Sequence, residues 1–268
     1  MATLADPAFA DSDVPIVPRG EDFFARLAIA MAVVVVAGFS MQLAMGRSTF
    51  ASPLRVHVHA VLFMGWVAIF LLQSRLGTKG PIALHRKLGW LALGWMAAML
   101  AAAMTVIVAM TRDGHVPFFF APQHFLLADP ATLLGFAGLT IAAVIRRRQT
   151  DWHARLHASG MAMLTGPAFG RLLPMPLLAP WAFEAAGAGS ALFLIAGMIR
   201  DKRRSGSVHR AWWIGIATLA ASLIGARALA VTPLGSAIYQ AAVAGYPGQT
   251  VPGLEYPPPP GTPLRTGR

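Results

Sequence analysis

The 268-residue sequence contains no cysteine, which excludes disulfides, thiolate-held metals and covalently attached c-type haem. Charge is also scarce: charged residues are 12% of the chain, against roughly 25% in a soluble domain. Lysine occurs only at Lys79, Lys87 and Lys202, so the net charge of +11 is mostly arginine. Those arginines cluster in short loops instead of lining one face, which argues against a nucleic-acid partner and fits the loops that orient a membrane protein. No stretch outside the apolar segments is long enough to house a soluble catalytic domain.

What fills the chain is apolar. Hydrophobic residues make up 56% of it, gathered in seven stretches over residues 24–43, 56–72, 88–110, 126–145, 154–173, 181–199 and 212–231. About 20 predominantly apolar residues span the hydrocarbon as a helix. The expected fold is therefore all-α, a polytopic membrane bundle of about seven transmembrane helices with the lipid bilayer as its solvent. Within span five, Gly166 and Gly170 suit close helix packing, and Pro167 between them predicts a kink.

Residues 22–245 are read as the bundle. Residues 1–21 carry Asp6, Asp11 and Asp13 where a secretory signal would be positive, so they are read as a mobile extension and the first span as retained. Residues 246–268, with Pro257-Pro258-Pro259-Pro260, are read as a disordered Pro/Gly-rich tail after a short apolar piece over 234–243.

Basic residues set the expected orientation. Arg19, Arg26, Arg75, Lys79, Arg86, Lys87, Arg146, Arg147, Arg148, Arg155, Arg200, Lys202, Arg203, Arg204 and Arg210 fall on one side. The other side has Arg47, Arg55, Arg112, Arg265 and Arg268. Fifteen against five predicts a cytoplasmic N-terminus and an external C-terminus in a bacterial inner membrane.

Histidine carries the chemical signal, because imidazole both ligates metals and titrates near neutral pH. With this topology His85, His153, His157 and His209 lie at cytoplasmic helix ends. His57, His59 and His124 lie toward the outside, and His115 lies in a solvated loop. His153 and His157 are the metal candidates, because i, i+4 spacing puts two imidazoles on one helical face. His85 or His209 could supply a third ligand, and histidines on opposing spans could instead hold the iron of haem b. At the outer side His57 or His59 could pair with His124 in the same way. His57 and His59 are two positions apart and cannot both face one site.

A second set of polar groups converges by depth. Counted from the cytoplasmic helix ends, His57, His59, Asp129, Arg171, Glu184 and Arg227 lie 16 to 18 residues along five spans, roughly 24–27 Å deep. Ionisable residues in spans usually face the interior and pair, so an outer ligand pocket of Asp129, Arg171, Glu184 and Arg227 is expected. Arg171–Glu184 is the favoured ion pair, since a short loop joins their spans.

Leu84-His85-Arg86-Lys87-Leu88-Gly89-Trp90 resembles helix starts in several poorly characterised bacterial polytopic membrane families. The run from Asp151-Trp152-His153-Ala154-Arg155 to Gly170-Arg171-Leu172-Leu173-Pro174 resembles another segment in them. That resemblance implies a membrane bundle and no particular activity. More remotely, histidines at both ends of the bundle resemble the b561-type cytochromes, which implies two b haems and electron transfer across the membrane. Those cytochromes place inner and outer ligands on shared helices. Here span two has no inner histidine and spans three, five and seven have no outer one, which argues against a di-haem carrier.

Two functions follow as expectations. One is redox or cofactor chemistry on a histidine-held haem or metal. The other is a non-catalytic transporter-like, sensory or assembly protein whose outer pocket takes a small anion, lipid or quinone.

Overall fold

The computed structural model describes residues 21–259, so the expected N-terminal extension lies almost wholly outside the described residues. Within them, regular structure is helical. Six helices are long and apolar enough to cross a membrane: α1 (Glu21–Ala44), α2 (Leu54–Lys79), α3 (Ile82–Arg112), α4 (Pro122–Ile145), α8 (Ala182–Ser205) and α9 (Arg210–Ala230). The chain is a multi-pass membrane bundle.

The fifth expected span is not one helix. It is broken into α5 (Thr150–Met163) and α6 (Gly166–Leu172), followed by the single turn α7 (Met175–Leu178). The break has a local cause. Pro167 has no amide hydrogen, and its ring would clash with the carbonyl four residues back, that of Met163, the last residue of α5. The two pieces still run the depth of the bundle. The Arg155 guanidinium on α5 lies 5.9 Å from the Phe24 ring on α1, and that of Arg171 on α6 lies 4.2 Å from the Phe39 ring. Phe24 to Phe39 is about 22 Å of helix rise. Gly38 permits the close approach of α1 and α6, since a Cβ there would fall 2.7 Å from the Ala168 carbonyl oxygen.

Successive segments run up and down. One end, here the basic end, gathers the starts of α1, α3, α5 and α9 with the ends of α2, α4 and α8. The Arg146 guanidinium covers the Trp152 ring at 4.1 Å, the Gln73 side chain bonds the His85 carbonyl, and Arg155 meets Asp201. Exposed apolar side chains such as Val33, Val61, Leu134 and Ile224 form the surface that meets lipid. Thr111, Gln123, Thr140, Ser159, Thr165 and Ser190 are buried, which is the placement hydrocarbon imposes on polar groups.

The opposite, distal end carries a cap. Helix α10 (Pro233–Val243) is followed by a 3-10 turn, Pro247–Thr250. The Tyr239 hydroxyl reaches the carbonyls of Val251 at 2.9 Å and Gly248 at 3.3 Å. The Gln123 main-chain N–H donates to the Gly253 carbonyl at 2.8 Å, and the Arg112 guanidinium covers the Tyr246 ring at 4.4 Å. Residues 246–259, expected within a disordered tail, are therefore held against α3, α4 and α10. Composition gives no sign of this, because a few specific bonds satisfy the segment's backbone where apolar burial could not. The remainder of that tail lies outside the described residues.

Candidate functional site

At the basic end His85, on α3, and His153 and His157, on α5, come together. The rings of His153 and His157 have centroids 4.7 Å apart and lie at 83° to each other; His85 and His153 are 6.1 Å apart at 82°. The Nδ1 of His153 donates to the Ala143 carbonyl at 2.8 Å. A carbonyl can only accept, so neutral His153 keeps its lone pair on Nε2. The Nδ1 of His85 is buried without a partner among the described residues. These rings pack edge to face, which directs ring edges at ring faces instead of three nitrogens at one point. Among the described residues no three His, Cys, Asp or Glu side chains form a ready metal site.

His209 stands apart from the trio. Its ring packs on Trp152 with centroids 4.9 Å apart, and its Nδ1 accepts the Ala211 amide at 3.1 Å, capping α9. A capping nitrogen has its lone pair in use.

Beside this trio lies a network that sequence reasoning missed. Arg155 grips Asp201 through Nε at 2.7 Å and a terminal nitrogen at 2.9 Å, the indole of Trp212 donates to the same carboxylate at 2.9 Å, and Arg200 reaches it at 3.2 Å. The Asp201 side chain is 2% exposed. The clasp ties α5, α8 and α9 together, and its bidentate fork is the strong form of the pair. Its one signal in the sequence was a single acid inside the basic run from Arg200 to Arg204. Counting those residues as loop charge concealed it.

At the distal end the expected single pocket resolves into two groups. In the first, Glu184 on α8 pairs with Arg227 on α9. Arg227 Nε and a terminal nitrogen bond both carboxylate oxygens, the latter at 2.8 Å. Arg227 also donates to the Pro180 carbonyl at 2.8 Å and lies 4.6 Å from the Trp181 ring. His124 packs its ring against Phe183 nearby, at 4.8 Å, with Nε2 buried and unbonded. Arg171–Glu184, the pair favoured by loop length, does not form. The broken fifth span delivers Arg171 against α1 instead.

The second group is Arg171, Asp129 and His59. Arg171 donates to the Pro167 carbonyl at 2.7 Å and covers the Phe39 ring, while its Nε is buried without a hydrogen-bond partner among the described residues. Its charge acts on both Asp129 and His59, yet no carboxylate among the described residues comes within 4.0 Å of it. His59 stacks on Phe63 at 4.2 Å, and its Nδ1 is likewise buried and unbonded. His57 is turned elsewhere, with Nε2 donating to the Phe50 carbonyl at 3.2 Å. Of the two histidines that could not share a site, His59 is the interior one.

Comparison of the chain with protein-family models, with curated proteins and with solved structures finds no match.

Proposed function

We propose that this multi-pass protein sits in a bacterial inner membrane, N-terminus in the cytoplasm, and binds an oxygen-bearing headgroup at Arg171, His59 and Asp129 without catalysing a reaction on it. The ligand class is a small anion, an acidic lipid or a quinone, whose shared chemistry is an oxygen able to accept from guanidinium and imidazole N–H groups. Orientation follows the fifteen-to-five bias of basic residues, which makes the distal end external.

The observation that carries the reading is the contrast between two arginines at one depth. Arg227 is saturated by Glu184 and the Pro180 carbonyl. Among the described residues Arg171 has a buried Nε with nothing to bond and no carboxylate in salt-bridge reach. Charged groups in a span are costly unless they pair or serve a ligand, and a planar guanidinium is suited to oxyanions and paired oxygens. The haem-or-metal reading has less behind it, since the inner imidazoles meet edge to face and His209 is spent on a helix cap.

The test uses the purified full chain in lipid nanodiscs, with unfolding followed as inorganic phosphate, ubiquinone-1 or phosphatidylglycerol is added. A ligand at about 100 times its Kd stabilises by about 2.7 kcal/mol. One of the three probes should therefore raise the unfolding temperature of the native chain and leave Arg171→Leu unmoved. No shift with any probe, or an equal shift in the variant, overturns the reading. A Soret band in the purified protein would favour haem instead.

A further inference from the structure

Helix α2 carries His59, Trp66 and Gln73 at intervals of seven, so the three lie along one stripe of the helix. Each has a buried polar atom without a hydrogen-bond partner among the described residues: Nδ1 of His59, Nε1 of Trp66 and Oε1 of Gln73. The opposite side of α2 shows Val61, Ala68 and Arg75 to the surface. A membrane helix has thus turned its polar stripe inward and left it unsatisfied at three levels.

Helix α4 answers with Asp129, Phe136 and Ala143, each seventy positions after its counterpart. A ring contact fixes this register at the middle level, and shared neighbours agree with it at the other two. His59 and Asp129 share the influence of Arg171. Trp66 and Phe136 meet edge to face with centroids 5.2 Å apart. At the third level Gln73 donates to the His85 carbonyl at 3.2 Å and the Ala143 carbonyl accepts from His153, the two imidazoles being neighbours. Seven residues rise about 10 Å, so the stripe runs about 21 Å through the bundle. Helix α2 packs chiefly on α1 and α3, and α4 on α5 and α9, so these two faces form a seam between two better-packed parts.

Unbonded polar atoms in hydrocarbon are strongly disfavoured, and their usual partner is buried water making two to four bonds. About three waters at hydrogen-bond spacing bridge one 10 Å interval. We propose that water fills this seam and that the protein conducts protons through it, between the His59–Asp129 level and the His85–His153–His157 level. A proton taken up at the distal end resides on Asp129 or His59. It passes by successive hops, each water accepting on one side and releasing on the other, past Trp66 and then past Gln73, which hold the waters in file. An imidazole of the inner trio accepts it and releases one proton to the basic end. One proton enters and one leaves, with no electron transfer. Arg171 and Arg86, the latter acting on His85, are the fixed cations at the two ends. The track does not rest on the headgroup reading, since it needs no ligand at Arg171.

The experiment places the purified full chain in phosphatidylcholine–phosphatidylglycerol vesicles, imposes a potassium diffusion potential with valinomycin and follows internal pH with a fluorescent dye. The native chain should acidify or alkalinise vesicles several-fold faster than protein-free vesicles. Asp129→Asn and Gln73→Met, both close in shape to the native residues, should lower the rate several-fold with unchanged elution and unfolding temperature. Thr218→Val, on α9 and bonded only to its own helix, should leave it unchanged. A native rate equal to that of empty vesicles overturns the proposal. So does a native rate that both seam variants retain. Headgroup binding without flux would leave the first reading standing and remove this one.

Discussion

Arg155 and Asp201 form a two-pronged ion pair, at 2.7 and 2.9 Å, 46 residues apart in sequence and buried at the basic end of the bundle. It joins two helices that are separated in the chain by α6 and α7, and Trp212 closes it from α9. Removing one partner of a buried pair strands the other charge, at a cost of about 3 kcal/mol or more. Asp201→Asn is expected to lower the unfolding temperature in detergent by several degrees. An unchanged temperature would mean that Arg155 finds water or headgroups as readily as it finds Asp201.

The distal pair is expected to be worth less. The side chains of Glu184 and Arg227 are 27% and 33% exposed, so solvent or headgroups screen them and the coupling should be about 1 kcal/mol. Glu184→Gln and Arg227→Gln, made singly and together, measure it. The double variant should lose less than the sum of the two single losses. Strict additivity would dismiss the pair as a stabilising contact.

His209 predicts a pH dependence. Burial, and then the Arg155 cation, hold its imidazole below the ordinary value, although Asp201 and Asp151 oppose this. Its Nδ1 accepts the Ala211 amide, a bond that a doubly protonated ring cannot accept. Above the unfolded value neither state is protonated and nothing is lost. As pH falls through that value the unfolded chain binds the proton more readily, so stability declines. His209→Asn keeps a capping acceptor without the titration. Its unfolding temperature should fall less than the native one between about pH 7.5 and about pH 5.5; an equal fall would assign the acid sensitivity to other groups.

Tyr239 is expected to hold the C-terminal segment. Tyr239→Phe removes the hydroxyl that reaches Val251 and Gly248, a loss of about 1 kcal/mol. Hydrogen exchange should accelerate across residues 246–259 and remain slow in α3 and α4. Unchanged protection there would give the anchoring to Gln123 and Arg112 instead.

Some features follow from the sequence with no knowledge of the fold. Unbroken apolar runs of about 20 residues cross hydrocarbon as helices, which satisfy every backbone group within their own segment. Residue rise alone predicts one depth for Asp129, Arg171, Glu184 and Arg227, and Pro167 predicts a kink, although Pro130 is accommodated within an unbroken α4. The i, i+4 spacing likewise puts His153 beside His157. Partner choice is not local in this way. Whether Glu184 meets Arg171 or Arg227 depends on how helices pack around one another, and two arginines at equal depth are indistinguishable along the chain. The same holds for the seam, where His59, Trp66 and Gln73 gain meaning only once α2 lies in register with α4. Asp201 shows the point most plainly: in the sequence it is one acid among basic loop residues, and only tertiary packing buries it between Arg155 and Trp212.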